Sequence, residues 1–238
     1  MAEKKTAVMN DIDKMFKAGA HFGFSKSRRH PSAKPLIFGA KNKVEIFDLE
    51  KTKTYLDKAK AFVSSIAEKN GMILFVASKS EALEAVKKAA TSLNMPYVAG
   101  RWIGGTFTNF PQIRKRVERF EMLTSQREKG ELGKYTKKER LLIDREIDTL
   151  NRFFGGIVSM KEMPKAVFVV DSKHEMIAVT EAQKVKIPVI SISGTDNNIG
   201  DVEFPIPGND ASRSSVAFFL DEIVAAYQAG QATPKDVK

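Results

Sequence analysis

The residues able to carry chemistry fall in a few short stretches. Asp171-Ser172-Lys173-His174-Glu175 follows an apolar run and places acid, hydroxyl and imidazole close together. Gly194-Thr195-Asp196-Asn197-Asn198 stands in the same relation to a second apolar run. An aspartate at a strand's end can bind Mg²⁺ or orient a general base. The same residues also have plain structural uses: Asp and Ser cap helices, Glu suits a first helical turn, and Gly-Thr-Asp-Asn-Asn is ordinary turn composition. His21, His30 and His174 are the only histidines, and there is no cysteine. Thiol nucleophiles and Cys-ligated zinc are excluded, and His21 and His30 are too isolated to suggest a metal site. No GxxxxGK[ST] occurs, no GxGxxG follows an early strand, and no Ser-His-Asp or paired-carboxylate set stands out. The expectation is a protein with no catalytic residue, metal or cofactor.

Two other stretches suit a polyanion better than a metabolite. In Arg101-Trp102-Ile103-Gly104-Gly105-Thr106-Phe107-Thr108-Asn109-Phe110, the only Trp lies beside a Gly-Gly pair. Gly104 and Gly105 permit a tight turn or a close backbone approach. Arg101 brings charge, and Thr108 and Asn109 bring short hydrogen-bonding side chains. Trp102, Gly104 and Gly105 are assigned structural roles, and Arg101, Thr108 and Asn109 are assigned to RNA. The second stretch, residues 24–43, holds Lys26, Arg28, Arg29, Lys34, Lys41 and Lys43 with no acid among them. Pro31 and Pro35 keep it extended or turning, which suits a basic loop lying on a sugar-phosphate backbone. The structural alternatives are a tight strand-to-helix turn and a solvated basic loop.

Totals point the same way. The chain has 238 residues, a formal net charge of +10 and 42% hydrophobic residues, with an isoelectric point near 9.6. That length holds one large domain, or a domain with an insertion. Excess Lys and Arg favours nucleic acid or an anionic membrane surface as partner. No apolar run approaches the roughly 20 residues that span a bilayer, and the polar start Met1-Ala2-Glu3-Lys4-Lys5 leads into no signal core. A cytoplasmic setting is expected, with no membrane partner and no small-molecule substrate.

The elements that must position these stretches alternate. Strands are read at residues 44–49, 72–77, 97–99, 166–170, 188–193 and 204–206. Helices are read at 53–69, with Leu56, Ala59, Phe62, Val63 and Ile66 on one face, and at 82–93 behind a capping box from Ser78 to Glu81. Further helices are read at 175–186 and at 210–229. Gly71 and Gly230 are read as helix ends, and Asn209 or Asp210 as a cap. Such alternation predicts an α/β fold, a flavodoxin/Rossmann-like parallel sheet flanked by helices. Residues 107–158 break the rhythm. Ile113, Val117, Phe120 and Thr124, then Ile143, Ile147, Leu150, Phe154 and Ile157, form heptad-like stripes. They predict an inserted antiparallel coiled-coil hairpin whose helices are each roughly 25–30 Å long. The α/β domain is then discontinuous, residues 1–106 and 159–230. Residues 1–8 and 231–238 lack apolar periodicity and are expected to fray, the latter as a flexible tail.

End to end, the chain resembles the bacterial branch of the small-subunit ribosomal protein S-two family. The family's N-terminal pattern stands as Ala18-Gly19-Ala20-His21-Phe22-Gly23, Pro31, Lys34-Pro35 and Ile37-Phe38-Gly39-Ala40-Lys41-Asn42-Lys43. Its middle pattern stands as Arg101-Trp102-Ile103-Gly104-Gly105 with Thr108-Asn109, followed by residues 141–156 ending in Phe154-Gly155-Gly156. Its C-terminal pattern stands as Ile187-Pro188-Val189 and Pro205-Ile206-Pro207-Gly208-Asn209-Asp210-Ala211. The chain departs from the family at Phe24, Arg29 and His30, where many members carry His, Trp and Asn. The resemblance implies a structural ribosomal protein bound to small-subunit rRNA near the head–body junction, beside neighbouring proteins that include S-one. Two other readings stay open from the residues alone: a nucleotide-using α/β enzyme, and a protein-interaction module acting through the hairpin.

Overall fold

A computed structural model describes residues 11–232. Residues 11–17 are helical (α1). β1 (Phe22–Ser25), β2 (Ile37–Lys41) and β3 (Val44–Phe47) form an antiparallel sheet in the order β1-β3-β2. There follow α2 (Leu49–Glu68), β4 (Ile73–Ala77), α3 (Ser80–Ser92) and β5 (Tyr97–Ala99). After them come α4 (Phe110–Glu128), α5 (Lys137–Phe154), β6 (Ala166–Val170) and α6 (Met176–Lys184). β7 (Val189–Ser193), β8 (Phe204–Pro207) and α7 (Arg213–Ala232) complete the described chain.

The second sheet is parallel throughout, in the order β5-β4-β6-β7-β8. Renumbered along the chain, that is the flavodoxin-like order, reversing direction between β4 and β6. Every residue of β4, β6 and β7 is buried, as continuous apolar runs require when helices cover both faces. Alternate side chains divide the core in two. Ile73, Phe75, Ala77, Ala166, Phe168 and Val170 meet α2, α3 and α7. Leu74, Val76, Val167 and Val169 meet Trp102, Phe107, α6 and the buried side of α4 and α5.

α4 and α5 run back along one another. Arg119 Nε lies 3.2 Å from Glu146 Oε1, and Arg127 Nη1 lies 3.9 Å from Asp144. Thr136 and Glu139 form a capping box at the start of α5. Ile113, Val117, Leu123, Ile147, Leu150 and Phe154 are buried and continuous with the core on that face of the sheet. Leu123 is buried where the heptad reading had Thr124, which is half-buried together with Phe120.

Several local readings need correction. The basic segment is not an open loop: it contains β2 and two short 3-10 turns, Lys26–Arg28 and Pro31–Leu36, and Phe24 and Ser25 finish β1. Prolines, glycines and cations broke the alternation that would have revealed those strands. The strand read at 44–49 stops at Phe47, because Asp48 accepts from the Glu50 and Lys51 amides and starts α2. Ser78 does not cap α3; Lys79 holds the N-cap position with no side-chain bond, and Ser78 turns across the sheet instead. The helix expected to end at Gly71 turns back at Asn70, whose φ is 51°. α7 runs past Gly230 to Ala232, so Gln231 and Ala232 are helical rather than tail. Residues 1–8 and 233–238 lie outside the described residues.

Gly230 has a packing role. A Cβ there would lie 2.6 Å from the Ser64 carbonyl oxygen and 2.9 Å from the Ala67 Cβ, so α7 and α2 approach too closely for any side chain. In an exposed helix, Gly→Ala gains about 1 kcal/mol. Gly230→Ala is expected to lower stability instead, by about 1–2 kcal/mol net. Urea unfolding followed by circular dichroism checks the sign.

Candidate nucleic-acid interface

The Arg101–Asn109 turn is organised around a carboxylate from another element. Glu181, on α6 and only 6% exposed, points into it. Its Oε1 accepts from the Gly105 amide at 2.7 Å and Trp102 Nε1 at 3.4 Å. Its Oε2 accepts from the Phe107 amide at 3.0 Å, and from the Thr108 amide and hydroxyl, each at 3.2 Å. Burial opposes the charge, yet these donors outweigh it and hold the carboxyl below the usual carboxylate range. Gly105, at φ 91°, gives the backbone the shape that aims these amides inward. Trp102 is buried edge-on against Phe107, with ring centroids 5.0 Å apart. Thr108 is therefore tied to Glu181 although the residue is exposed, and Arg101 and Asn109 are exposed as well. Arg101 has no ion-pair partner among the described residues.

At the reversal point between β4 and β6, where such sheets usually take ligands, the chain places its own charges. Lys79 Nζ lies 2.5 Å from Asp171 Oδ2 and 2.9 Å from Asp210 Oδ2. Asp171 is 5% exposed and Asp210 1%. Burial pushes the Asp210 carboxyl up to about 6, against the pull of Lys79 and with the help of negative Asp171. Burial also opposes charge on Asp171, but its bond to Lys79 prevails and holds it low. The amides of Lys173 and His174 donate to Asp171 Oδ1, so this aspartate also closes the turn before α6.

Ser78, His174 and Glu175 meet beside this cluster. The Ser78 hydroxyl and Glu175 Oε1 both contact the same ring nitrogen, His174 Nδ1, at 2.9 and 3.3 Å. A nucleophile relay needs hydroxyl and acid on opposite nitrogens. The arrangement instead latches the β4 loop to the β6 loop, with the Ser78 amide donating to Glu175 Oε1 at 2.8 Å. The open space here, about 360 Å³, is lined by Ser78, Gly100, Arg101, Trp102, His174, Glu175 and Ile177. The histidines are dispersed. His21 stacks on Phe16 at 4.3 Å, and His30 Nδ1 bonds Ser32. No group of three or more His, Cys, Asp or Glu able to hold a metal occurs among the described residues.

The basic segment divides into committed and free cations. Arg29 Nη1 lies 2.8 Å from Glu45 Oε1, and Glu45 is 2% exposed on β3, so this arginine neutralises a buried acid. Lys26 and Arg28 on the first 3-10 turn, Lys34 on the second, and Lys41 and Lys43 at the β2–β3 turn are all exposed. None has an ion-pair partner among the described residues. The Arg28 guanidinium lies 5.5 Å from the Phe24 ring centre. Asn42 and Lys43 take φ 51° and 67°, the turn conformation that closes β2 onto β3 and sets out both lysines. The segment is anchored to the sheet's carboxyl end through Thr195, whose hydroxyl accepts from the Phe24 amide at 2.9 Å and whose carbonyl accepts from the His30 amide at 2.9 Å.

Sequence reasoning missed Glu181, Lys79 and Glu45. The partners of Glu181 lie 73 or more positions away in the chain, and Lys79 reads as one cation among many. Glu181→Gln, which puts an amide where two main-chain donors point, is expected to cost about 2 kcal/mol at pH 7. Glu181 titrates lower folded than unfolded, so its contribution is present above the unfolded value and is lost as pH falls through the folded one. The gap between wild type and variant therefore closes in acid, as urea titrations across pH 7 to 3 would show. Lys79→Met strands two buried carboxylates and is expected to cost about 3–5 kcal/mol. Asp210 binds its proton more tightly folded than unfolded, so its contribution is fullest in acid and is lost as pH rises through about 6. Asp210→Asn is expected to remove that component from the stability–pH curve.

Comparison with known proteins follows the same chain through. The family described as Ribosomal protein S2 matches residues 15–230. Similar proteins include the small ribosomal subunit protein uS2 of Shewanella pealeana, 41% identical over 217 residues that cover 91% of this chain and 90% of that protein. The uS2 of Bdellovibrio bacteriovorus is 41% identical over 219 residues, 92% of this chain and 70% of that one. That of Shewanella loihica is 39% identical over 217 residues. With the patterned residues 18–43, 101–109 and 187–211 all inside the matched span, the chain belongs to the ribosomal protein S2 family.

Proposed function

We propose that this chain is a structural, non-enzymatic constituent of the small ribosomal subunit in the cytoplasm. In this reading it binds small-subunit rRNA near the head–body junction, touches neighbouring subunit proteins and helps dock ribosomal protein S-one. Family membership supports the place in the subunit. The observation that carries the RNA reading is the division of charge: half-buried Arg29 and Lys79 neutralise buried acids, while Lys26, Arg28, Lys34, Lys41 and Lys43 are exposed with no ion-pair partner among the described residues. Arg101 and Asn109 join them as candidate contacts. Arg29 and Thr108, given to RNA on sequence grounds, fit better as internal supports, through Glu45 and Glu181.

Recognition on this reading is of backbone and shape rather than base edges. Residues 107–158 act as an inserted arm whose charged outer faces meet other subunit components. The crevice at the sheet reversal supports the non-enzymatic reading, because Lys79, Asp171 and Asp210 saturate one another there.

Binding of purified small-subunit rRNA should weaken steeply with salt. Changing Lys34, Lys41 and Lys43 to Gln should flatten the plot of log affinity against log salt by roughly 0.7–0.9 per residue that contacts a phosphate. Stability should be unchanged in that variant. Arg29→Gln should instead lower stability and leave the salt slope alone. Filter binding and urea unfolding separate the two; a slope indifferent to the lysines contradicts the proposal.

A further inference from the structure

We propose that Phe38 is a stacking platform for an unpaired RNA base, set out from β2 by a β-bulge. Phe38 is 81% exposed, more than any other exposed large hydrophobic among the described residues. A lone exposed apolar side chain needs no explanation, but this one is produced by a defined irregularity. Ile37 pairs with Phe47 and Gly39 pairs with Ile46, so two steps on β2 answer one step on β3. Phe38 is the extra residue, and bulges of this kind re-aim a side chain. Its neighbours leave the ring uncovered: a Cβ on Gly39 would meet nothing within 4 Å, and Ala40 is small and exposed.

Charge flanking Phe38 along the chain selects the partner. Lys41 ends the same strand, Lys43 follows it, and Lys34 precedes it on the adjoining 3-10 turn, all exposed and without an ion-pair partner among the described residues. The nearest acids along the chain are occupied. Glu45 is held by Arg29, and Asp48 caps α2 and pairs with Lys51 at 3.4 Å. An apolar protein surface would leave these cations uncompensated. A single-stranded nucleotide brings a flat π-face for the ring and a phosphate for the lysines together, the combination used by sequence-tolerant RNA surfaces. The lysines then supply the salt-dependent part of binding, and Phe38 supplies a part that salt does not screen.

This inference rests on the RNA-binding reading above, and the experiment separates their failures. Full-length wild type, Phe38→Ala, Phe38→Leu, Phe38→Tyr and Phe38→Trp are titrated with purified small-subunit rRNA over a range of salt. Phe38→Ala and Phe38→Leu should bind roughly five- to a hundredfold more weakly with an unchanged salt slope. Phe38→Tyr and Phe38→Trp should keep wild-type affinity. In Phe38→Trp, rRNA should quench the new indole, with buried Trp102 as a constant background. Wild-type affinity in Phe38→Ala overturns the stacking proposal and leaves the RNA reading standing. Wild-type affinity in Phe38→Leu also overturns it, since greasy contact without a π-face would then suffice. Normal rRNA affinity with failed entry into small subunits assigns Phe38 to a protein neighbour and likewise overturns it. If wild type does not bind rRNA at all, the reading fails and this inference falls with it.

Discussion

Internal neutralisation of charge is the constraint on which this structure depends. The carboxyl ends of a parallel sheet are crowded with loops whose polar groups need partners once water is excluded. Lys79 answers Asp171 and Asp210 across the β4–β6 reversal, and Glu181 answers the amides of the turn after β5. Arg29 answers Glu45 and ties the 3-10 turns to β3. These groups satisfy one another, and Lys79 joins the loop after β4 to those after β6 and β8. Among the described residues, Lys26, Arg28, Lys34, Lys41 and Lys43 of the small antiparallel sheet and its turns are among the exposed cations left without an ion-pair partner.

The same division explains why a strongly basic protein keeps a well-packed core. The two faces of the parallel sheet are filled by alternate residues of the same strands, and the helices on each face are locked by close contacts such as that at Gly230. The net charge sits at the surface, where counter-ions relieve it in the free protein and a polyanion would relieve it in an assembly. Thr195 joins the two halves of the account, since its hydroxyl and carbonyl hold the basic segment against the end of β7.

Legibility from sequence followed the range of the forces involved. The runs that became β4, β6 and β7 were plain because burial on both faces demands unbroken apolar residues. β1 and β2 were hidden because an exposed sheet with a bulge at Phe38 carries Gly, Ser and Lys where alternation would otherwise show. Ser78 looked like a helix cap because the local pattern is a capping box; the long-range pull of Glu175 decided otherwise. The middle motif was recognisable, but its reason was not. Trp102, Gly105, Phe107 and Thr108 are held as a set by one carboxylate far along the chain, and spacing carries no sign of it. Of the basic residues, composition could mark the segment but could not separate Arg29, bound to a buried acid, from Lys41, which has no ion-pair partner among the described residues.

Residue-resolved lysine labelling with an amine-reactive reagent, on the free protein and on intact small ribosomal subunits, addresses the central claim most directly. In the free protein Lys26, Lys34, Lys41 and Lys43 should label rapidly and Lys79 slowly. In subunits the first four should be shielded and regain reactivity when high salt releases the protein, with Lys79 slow throughout. Equal labelling of those four lysines in the free and assembled states would contradict the account.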